Sequence, residues 1–245
     1  MIPKLKRLAR RIIGGGGTNV RIDRELMLRY AAYVVDPQGV FVDVGAGTGA
    51  TARRFAEMAG FSPANSFLLE PDPANFSLLA EESPGYRNLQ LGIAEQSGSM
   101  TLYSVDDPRW NGSSKSNTLY REVLAEKFPN SAITEHHIET LTMDDFCRRE
   151  KIEKIEFVFF NCEGAEYDIF AHKANWLSNT RMIWADFHGR SPVLHKRFAA
   201  RRQDMYALFE QSGFSRVGGH KKEDIDGAKG HLTFLWERLD WATNK

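Results

Sequence analysis

The segment Val40-Phe-Val-Asp-Val-Gly-Ala-Gly-Thr-Gly49 constrains this 245-residue chain more than any other part of it. An apolar strand runs into three glycines at alternate positions, and the chain then passes directly into a segment with helical spacing through Ala59. Glycines between a strand and a helix let the backbone turn through conformations that side chains resist, and let a ligand approach the main chain closely. The free N–H groups and positive end of the following helix face such a ligand. The chain is therefore expected to contain a β–α unit with a binding loop at its turn.

Strand and helix alternate around that unit. Residues 23–35 read as a helix that Asp23 caps, 66–69 as a strand, 73–82 as a helix and 88–94 as a third strand. Residues 155–160, β-branched and aromatic, read as a fourth strand with a helix over 165–177. Residues 181–187 read as a fifth, with a long helix over about 194–212. Such alternation implies a parallel sheet with helices on both faces. Two last strands, near 214–218 and 231–236, have no helix between them and imply an antiparallel hairpin at the sheet edge. The expected fold is α/β, a mostly parallel Rossmann-like sheet with an antiparallel C-terminal edge hairpin, which is the class I methyltransferase plan. Residues 98–142 interrupt the rhythm as an insertion, with extra strands near 100–105 and 136–141 and a short helix near 119–128. Trp110, Asn111, Ser113, Ser114, Ser116 and Asn117 in that insertion would suit a sugar or polyol, although ordinary solvated loops share the composition.

Composition narrows the class. Thirty-two basic and 32 acidic residues cancel, which argues against a general polyanion binder, so no nucleic-acid partner is expected. Cys147 and Cys162 form neither a disulfide framework nor a zinc-like spacing, so a reducing cytosol is the default. No apolar run approaches the roughly 20 residues needed to span a bilayer. Basic residues interrupt the start of the chain, which therefore lacks the h-region of a signal peptide. The expected location is cytoplasmic. Residues 1–13 have the spacing of an amphipathic helix with a basic face, either solvated or in weak contact with an anionic membrane surface. Gly14 to Gly17 follow as a joint. The expected division is thus a basic segment with its joint over 1–17 and a catalytic domain over 18–245.

Glycine loops after strands also bind dinucleotides and phosphates, and three features separate the readings. The spacing is G-x-G-x-G rather than G-x-G-x-x-G, with no Gly-Lys-Ser/Thr. Asp43 stands two residues before the first glycine, where a carboxylate would repel a pyrophosphate but suits the cationic end of S-adenosyl-L-methionine. Glu70 ends the second strand, where it can accept from both ribose hydroxyls. These features favour S-adenosyl-L-methionine over NAD.

The ordered motifs resemble those of the FkbM-type methyltransferases. Asp43-Val-Gly-Ala-Gly-Thr-Gly49 is similar to the family's glycine motif, and Glu70-Pro-Asp-Pro-Ala-Asn-Phe76 to its Glu-Pro-x-Pro-x-x-Phe. Residues 88–94 with Gly98, Leu141-Thr-Met-Asp-Asp-Phe146, Glu163-Gly-Ala-Glu166 and Asp186-Phe-His188 resemble its later motifs. The resemblance implies cofactor contacts from Asp43, Gly45, Gly47, Thr48, Gly49, Glu70, Pro71, Ala94 and Asn161. It also implies O-methylation of a hydroxyl on a small-molecule or glycan acceptor, a carbohydrate or secondary metabolite. N-methylation of a small molecule and a non-catalytic cofactor-binding scaffold are the alternatives. Phe159-Phe160-Asn161 departs from the family's Lys-Ile-Asp, losing one cation and one anion.

Methyl transfer to an alcohol requires alignment and a base at the acceptor. His188 is the first choice for the base because imidazole titrates near neutral pH. Asp186 is placed to orient it and Glu163 to contact cofactor or acceptor, while Glu166 serves the turn of the next helix. A loop-capping role is the alternative for His188. Mg2+ on Glu163, Asp186 and His188 is the less favoured arrangement, because Asn161 removes an anionic ligand. His136 and His137 read as structural, and Cys162 as packed or near the cofactor rather than nucleophilic.

Overall fold

The strand Val40–Val44 (β1) lies third in a seven-stranded sheet, with β2 (Ser66–Leu69) on one side and β7 (Ile155–Phe160) on the other. The computed structural model describes residues 24–105, 117–170, 174–188, 193–194, 201–219 and 232–241. The order is β3 (Arg87–Leu89), β2, β1, β7, β8 (Thr180–Phe187), β10 (Leu232–Arg238), β9 (Phe214–Gly219). β1 pairs in parallel with both neighbours, so Asp43 stands opposite Leu68 and Phe159. β10 runs antiparallel to both β8 and β9. The final hairpin forms as expected, with β9 at the edge and β10 inserted inside it. This strand order and single reversal are those of the class I methyltransferase plan.

β2, β7 and β8 are buried at every position, as strands covered on both faces must be. Successive side chains of a strand point to opposite faces, and the core divides accordingly. Val42, Val44, Val158, Phe160, Ile183 and Phe187 enter one apolar cluster, while Phe41, Phe157, Phe159, Met182 and Trp184 enter the other. Trp184 organises the second cluster, stacking on Phe159 at 4.2 Å between centroids and meeting Tyr30 edge-on at 4.8 Å. Tyr30 comes from α1 (Arg24–Ala31), which ends before the expected Val35.

The helices over Ala50–Ala59 (α2) and Pro73–Glu82 (α3) follow β1 and β2. The expected third strand is divided. Arg87–Leu89 pairs with β2, whereas Gly92–Ile93 (β4) leaves to pair with β6 (Ile133–Leu141) in a second, three-stranded sheet. β5 (Gly98–Val105) completes that sheet, antiparallel to β6 with Gly98 opposite Thr140. A side chain at Gly92 would come within 3.2 Å of Ile138 and Thr140, so glycine lets the departing chain lie against β6. The short helix Arg121–Lys127 (α4) sits in the insertion as expected.

Two helices differ from expectation. Met143–Glu150 (α5) follows β6, started by Thr142, whose hydroxyl accepts from Asp145 N at 3.1 Å. The helix expected over 165–177 is instead Glu166–Ile169 (α6) and Asn175–Ser178 (α7). Asp144 starts α7 afresh, accepting from Trp176 N at 2.7 Å and Asn175 N at 3.2 Å. Of the long helix expected over 194–212, Arg201–Gln211 (α8) is described. No helix of the described residues is long and apolar enough to cross a membrane. Residues 1–17, with the expected amphipathic segment, lie outside the described residues.

Candidate active site

The glycine loop closes over the carboxyl ends of β1 and β2. Gly45 N and Ala46 N both donate to Leu69 O at 3.0 Å. Gly45, Gly47 and Gly49 have φ of 85°, 58° and 78°, in the region that favours glycine. Their surroundings differ. A Cβ on Gly45 would lie 2.2 Å from the Asn161 carbonyl oxygen, and one on Gly49 2.5 Å from Leu79, whereas one on Gly47 would meet nothing within 4 Å among the described residues. Gly45 and Gly49 thus serve close packing, and Gly47 borders open space.

That space is a cavity of about 350 Å³. Of the site residues named from the sequence, Gly45, Gly47, Thr48, Glu70, Pro71, Asn161 and Glu163 line it. The sequence reading missed its apolar wall of Leu91, Ile93, Leu102 and Ile138, drawn largely from the second sheet, and also Asn75, Thr118 and Thr140. The alternating pattern of β5 and β6 was the available signal, since Leu102 and Ile138 are their buried inward residues. Asn117 lines the cavity, and the residues expected to join it from 110–116 lie outside the described residues. Ala94 borders an adjoining hollow of about 270 Å³, which shares Leu119, Thr140 and Ala165 with the first. Asp43, Gly49, Asp186 and His188 are not among the lining residues.

Two carboxylates dominate the electrostatics. Glu70 is buried, with Oε2 accepting from Gly47 N at 2.7 Å and Oε1 from Asp72 N at 2.9 Å, so it ties the glycine loop to the loop after β2. Burial pushes its pKa up to about 7, against the two N–H donors. Asp43 is buried behind the loop, and its Oδ1 has no hydrogen-bond partner among the described residues. Burial and then Glu70 push its pKa up to about 8. Among the described residues, none that lines the cavity is cationic. An orphaned buried acid beside a second acid fits a ligand that brings positive charge.

A second cluster forms where β7 ends. Asn161 N donates to Val44 O at 3.0 Å, and the chain then turns sharply, with Glu163 at φ 51° and Gly164 at φ 109°. Glu166 is fully buried and gathers this turn, accepting from Cys162 N at 2.5 Å and Gly164 N at 2.8 Å. His188, just past β8, places Nδ1 3.0 Å from Glu166 Oε1 and Nε2 3.4 Å from Glu163 Oε1. Burial works against its charged form, but the Glu163 and Glu166 carboxylates outweigh it and hold the pKa well above the ordinary histidine value. The expected reason for His188 as base, titration near neutrality, therefore does not apply in this setting. Glu166, expected to serve the first turn of the next helix, instead accepts from the turn before that helix and is a partner of His188, which spacing alone did not reveal. Asp186 accepts from the Thr233 hydroxyl at 3.0 Å across to β10.

Burial, then Glu166, raises the Cys162 thiol well above its ordinary range, and Sγ points to Val44 O at 3.4 Å, which suits packing rather than nucleophilic attack. His136 Nε2 lies 2.9 Å from the Ser104 hydroxyl, a structural pairing between β6 and β5. Among the described residues, no group of three or more His, Cys, Asp or Glu side chains is arranged to hold a metal ion.

Residues 43–214 match the family described as the methyltransferase FkbM domain, well over half of the chain. The chain belongs to the FkbM methyltransferase family. The matched region of this FkbM-family chain runs from Asp43 through α8 to the first residue of β9 and so contains both clusters. The chain is also similar to the 2-O-methyltransferase NoeI of Sinorhizobium fredii, at 25% identity over 164 residues, covering 62% of this chain and 64% of NoeI. The match thus spans less than two thirds of that relative. Among solved structures, the FkbM methyltransferase of Methylobacillus flagellatus matches at 15% identity and a TM-score of 0.43, covering 82% of this chain and 44% of that one. An O-methyltransferase from Bacillus cereus in complex with SAH matches at 13% identity and a TM-score of 0.46, covering 96% and 87%.

Proposed function

We propose that this chain transfers the methyl group of S-adenosyl-L-methionine to a hydroxyl of a small-molecule acceptor, a carbohydrate or secondary metabolite. One observation carries the reading: a cavity at the glycine loop, bordered by Glu70, with buried Asp43 and its unpartnered Oδ1 close by, and no cation lining it among the described residues. A pyrophosphate there would face two acids, whereas a ligand with an ammonium and a sulfonium complements them. Glu70 is also placed to accept from ribose hydroxyls, and Leu91, Ile93, Leu102 and Ile138 offer the apolar wall that an adenine ring needs.

When bound, S-adenosyl-L-methionine supplies an electrophilic methyl group. What remains for the protein is alignment of the acceptor oxygen, exclusion of water and removal of the acceptor proton. The polar end of the cavity, at Asn161 and Glu163, supports a hydroxyl acceptor. The name of NoeI as a 2-O-methyltransferase supports the same acceptor class. The test is transfer of labelled methyl from S-adenosyl-L-methionine to a panel of methyl glycosides, cyclitols and primary amines. Ether products from hydroxyl compounds are expected. Labelling of the amines alone would replace the proposal with N-methylation, and no transfer to any compound would favour a scaffold.

A further inference from the structure

We infer that Glu163 takes the proton of the acceptor hydroxyl and that His188 behind it is a positioning residue, an assignment that rests on the methyl-transfer reading above. Three observations lead there. Of the three groups in the cluster, only Glu163 lines the cavity, with its side chain 28% exposed; Glu166 and His188 lie buried behind it.

Glu163 also holds a left-handed backbone conformation at φ 51°, which a residue with a Cβ adopts only when its surroundings impose it. Here they do. The buried Glu166 carboxylate gathers the N–H groups on either side, from Cys162 and Gly164, and the Thr118 hydroxyl donates to Glu163 O at 2.9 Å. Backbone strain of this kind clusters at functional sites, and here it falls on a cavity-lining residue whose side chain is partly exposed.

The third observation is the histidine itself. Both ring nitrogens face carboxylate oxygens, at 3.0 and 3.4 Å. A carboxylate offers only acceptors, so both nitrogens are satisfied only as donors, which is the imidazolium. That form has no lone pair for a proton. The raised pKa of His188 agrees with this. Among the described residues, Asp186 precedes it at the end of β8, and Asp43 and Glu70 are close enough to act on the Cys162 thiol. The imidazolium therefore holds the Glu163 carboxylate in place and offsets part of the negative charge.

The step balances. The acceptor oxygen forms its bond to the methyl carbon as its proton passes to a Glu163 oxygen, and the carbon–sulfur pair stays on sulfur. A sulfonium and a carboxylate become a neutral thioether and a neutral carboxylic acid, which then returns its proton to solvent through its exposed edge.

The test uses the full chain, single-turnover transfer to the hydroxyl panel, and nitrogen NMR of His188. Glu163→Gln should slow transfer by about 10²-fold or more, the usual contribution of a general base, while S-adenosyl-L-methionine affinity stays within ~threefold. Glu163→Gly suits the left-handed backbone, so it guards against a folding defect; its lost rate should be partly restored by added formate. His188→Asn should lose less than Glu163→Gln, and wild-type His188 should carry protons on both nitrogens at pH 8. An active wild type whose rate survives Glu163→Gln, or a singly protonated His188 at pH 8, overturns this assignment alone. An inactive wild type overturns the methyl-transfer reading and the step that rests on it.

Discussion

The glycines of the loop have different neighbours, and substitutions should separate their roles. At Gly45 an added methyl meets the Asn161 backbone 2.2 Å away, so the β1 and β7 ends must move apart. Gly45→Ala should destabilise the protein by about 3 kcal/mol or more, combining overpacking with an unfavourable φ. At Gly47 no atom of the described residues stands in the way, and the left-handed φ opposes alanine at about 1–2 kcal/mol. Gly47→Ala should therefore fold and lose cofactor affinity, because its methyl enters space that the ligand needs. Denaturant melts and calorimetry on the two variants distinguish these outcomes; equal losses of stability would refute the division. The motif shows that glycines belong here, but not which neighbour forbids a side chain. Asn161 lies 116 residues beyond Gly45 in the chain, and only the β1–β7 pairing brings them together. The same holds for His188 and Glu166: the sequence marks both as candidates, and the turn that Glu166 gathers makes them partners.

At the scale of elements, strands and helices with strong local patterns lie where their periodicity places them, as at Ser66–Leu69, Pro73–Glu82 and Ile155–Phe160. The misreadings share a cause. Residues 88–94 look like one strand, yet they change sheets between Leu89 and Gly92, because the partner that claims β4 is β6 of the insertion. The 165–177 helix is interrupted because Asp144, from α5, starts α7 separately. Such tertiary decisions leave little local trace. α5 did carry one, since Thr142 followed three residues later by Asp145 is a helix-start pattern. On the edge opposite the cavity, buried Arg181 at the start of β8 joins elements distant in sequence. It reaches Glu156 at 3.0 Å, Glu237 at 3.1 Å and the Tyr33 carbonyl, while Glu156 accepts from Val35 N at 2.7 Å and Asp36 N at 3.1 Å. Arg181→Met should cost about 3–5 kcal/mol because it strands the Glu156 carboxylate in the interior. Adding Glu156→Gln should recover part of that loss, and cofactor affinity should not change in either variant. A loss below about 1 kcal/mol, the range of surface pairs, would contradict a structural role for the pair.

Over the whole molecule, the acids at the glycine loop couple stability, pH and ligand. Asp43 rises from an ordinary 3.8 to about 8 and Glu70 from 4.5 to about 7, both chiefly by burial. A carboxyl with a raised folded pKa keeps its proton in the native state after the unfolded chain has lost it. The stability it contributes is complete below about pH 4 and declines as pH rises through 7 and 8. The ligand-free protein should therefore melt at lower temperature at pH 8 than at pH 6, and Asp43→Asn should flatten that dependence. A cationic ligand favours the ionised acids, so its binding should release protons, visible as a dependence of binding heat on the buffer. Identical melting profiles for Asp43→Asn and wild type would remove Asp43 from this coupling.

The central claim is that this cavity holds S-adenosyl-L-methionine, and titration calorimetry on wild type and Glu70→Ala tests it most directly. The wild type should bind S-adenosyl-L-methionine and its demethylated product, and should not bind NAD. Glu70→Ala should weaken both ligands by about 1.5–3 kcal/mol for each charge-assisted hydrogen bond lost. Binding of NAD in place of S-adenosyl-L-methionine, or unchanged affinity in a folded Glu70→Ala variant, would contradict the account.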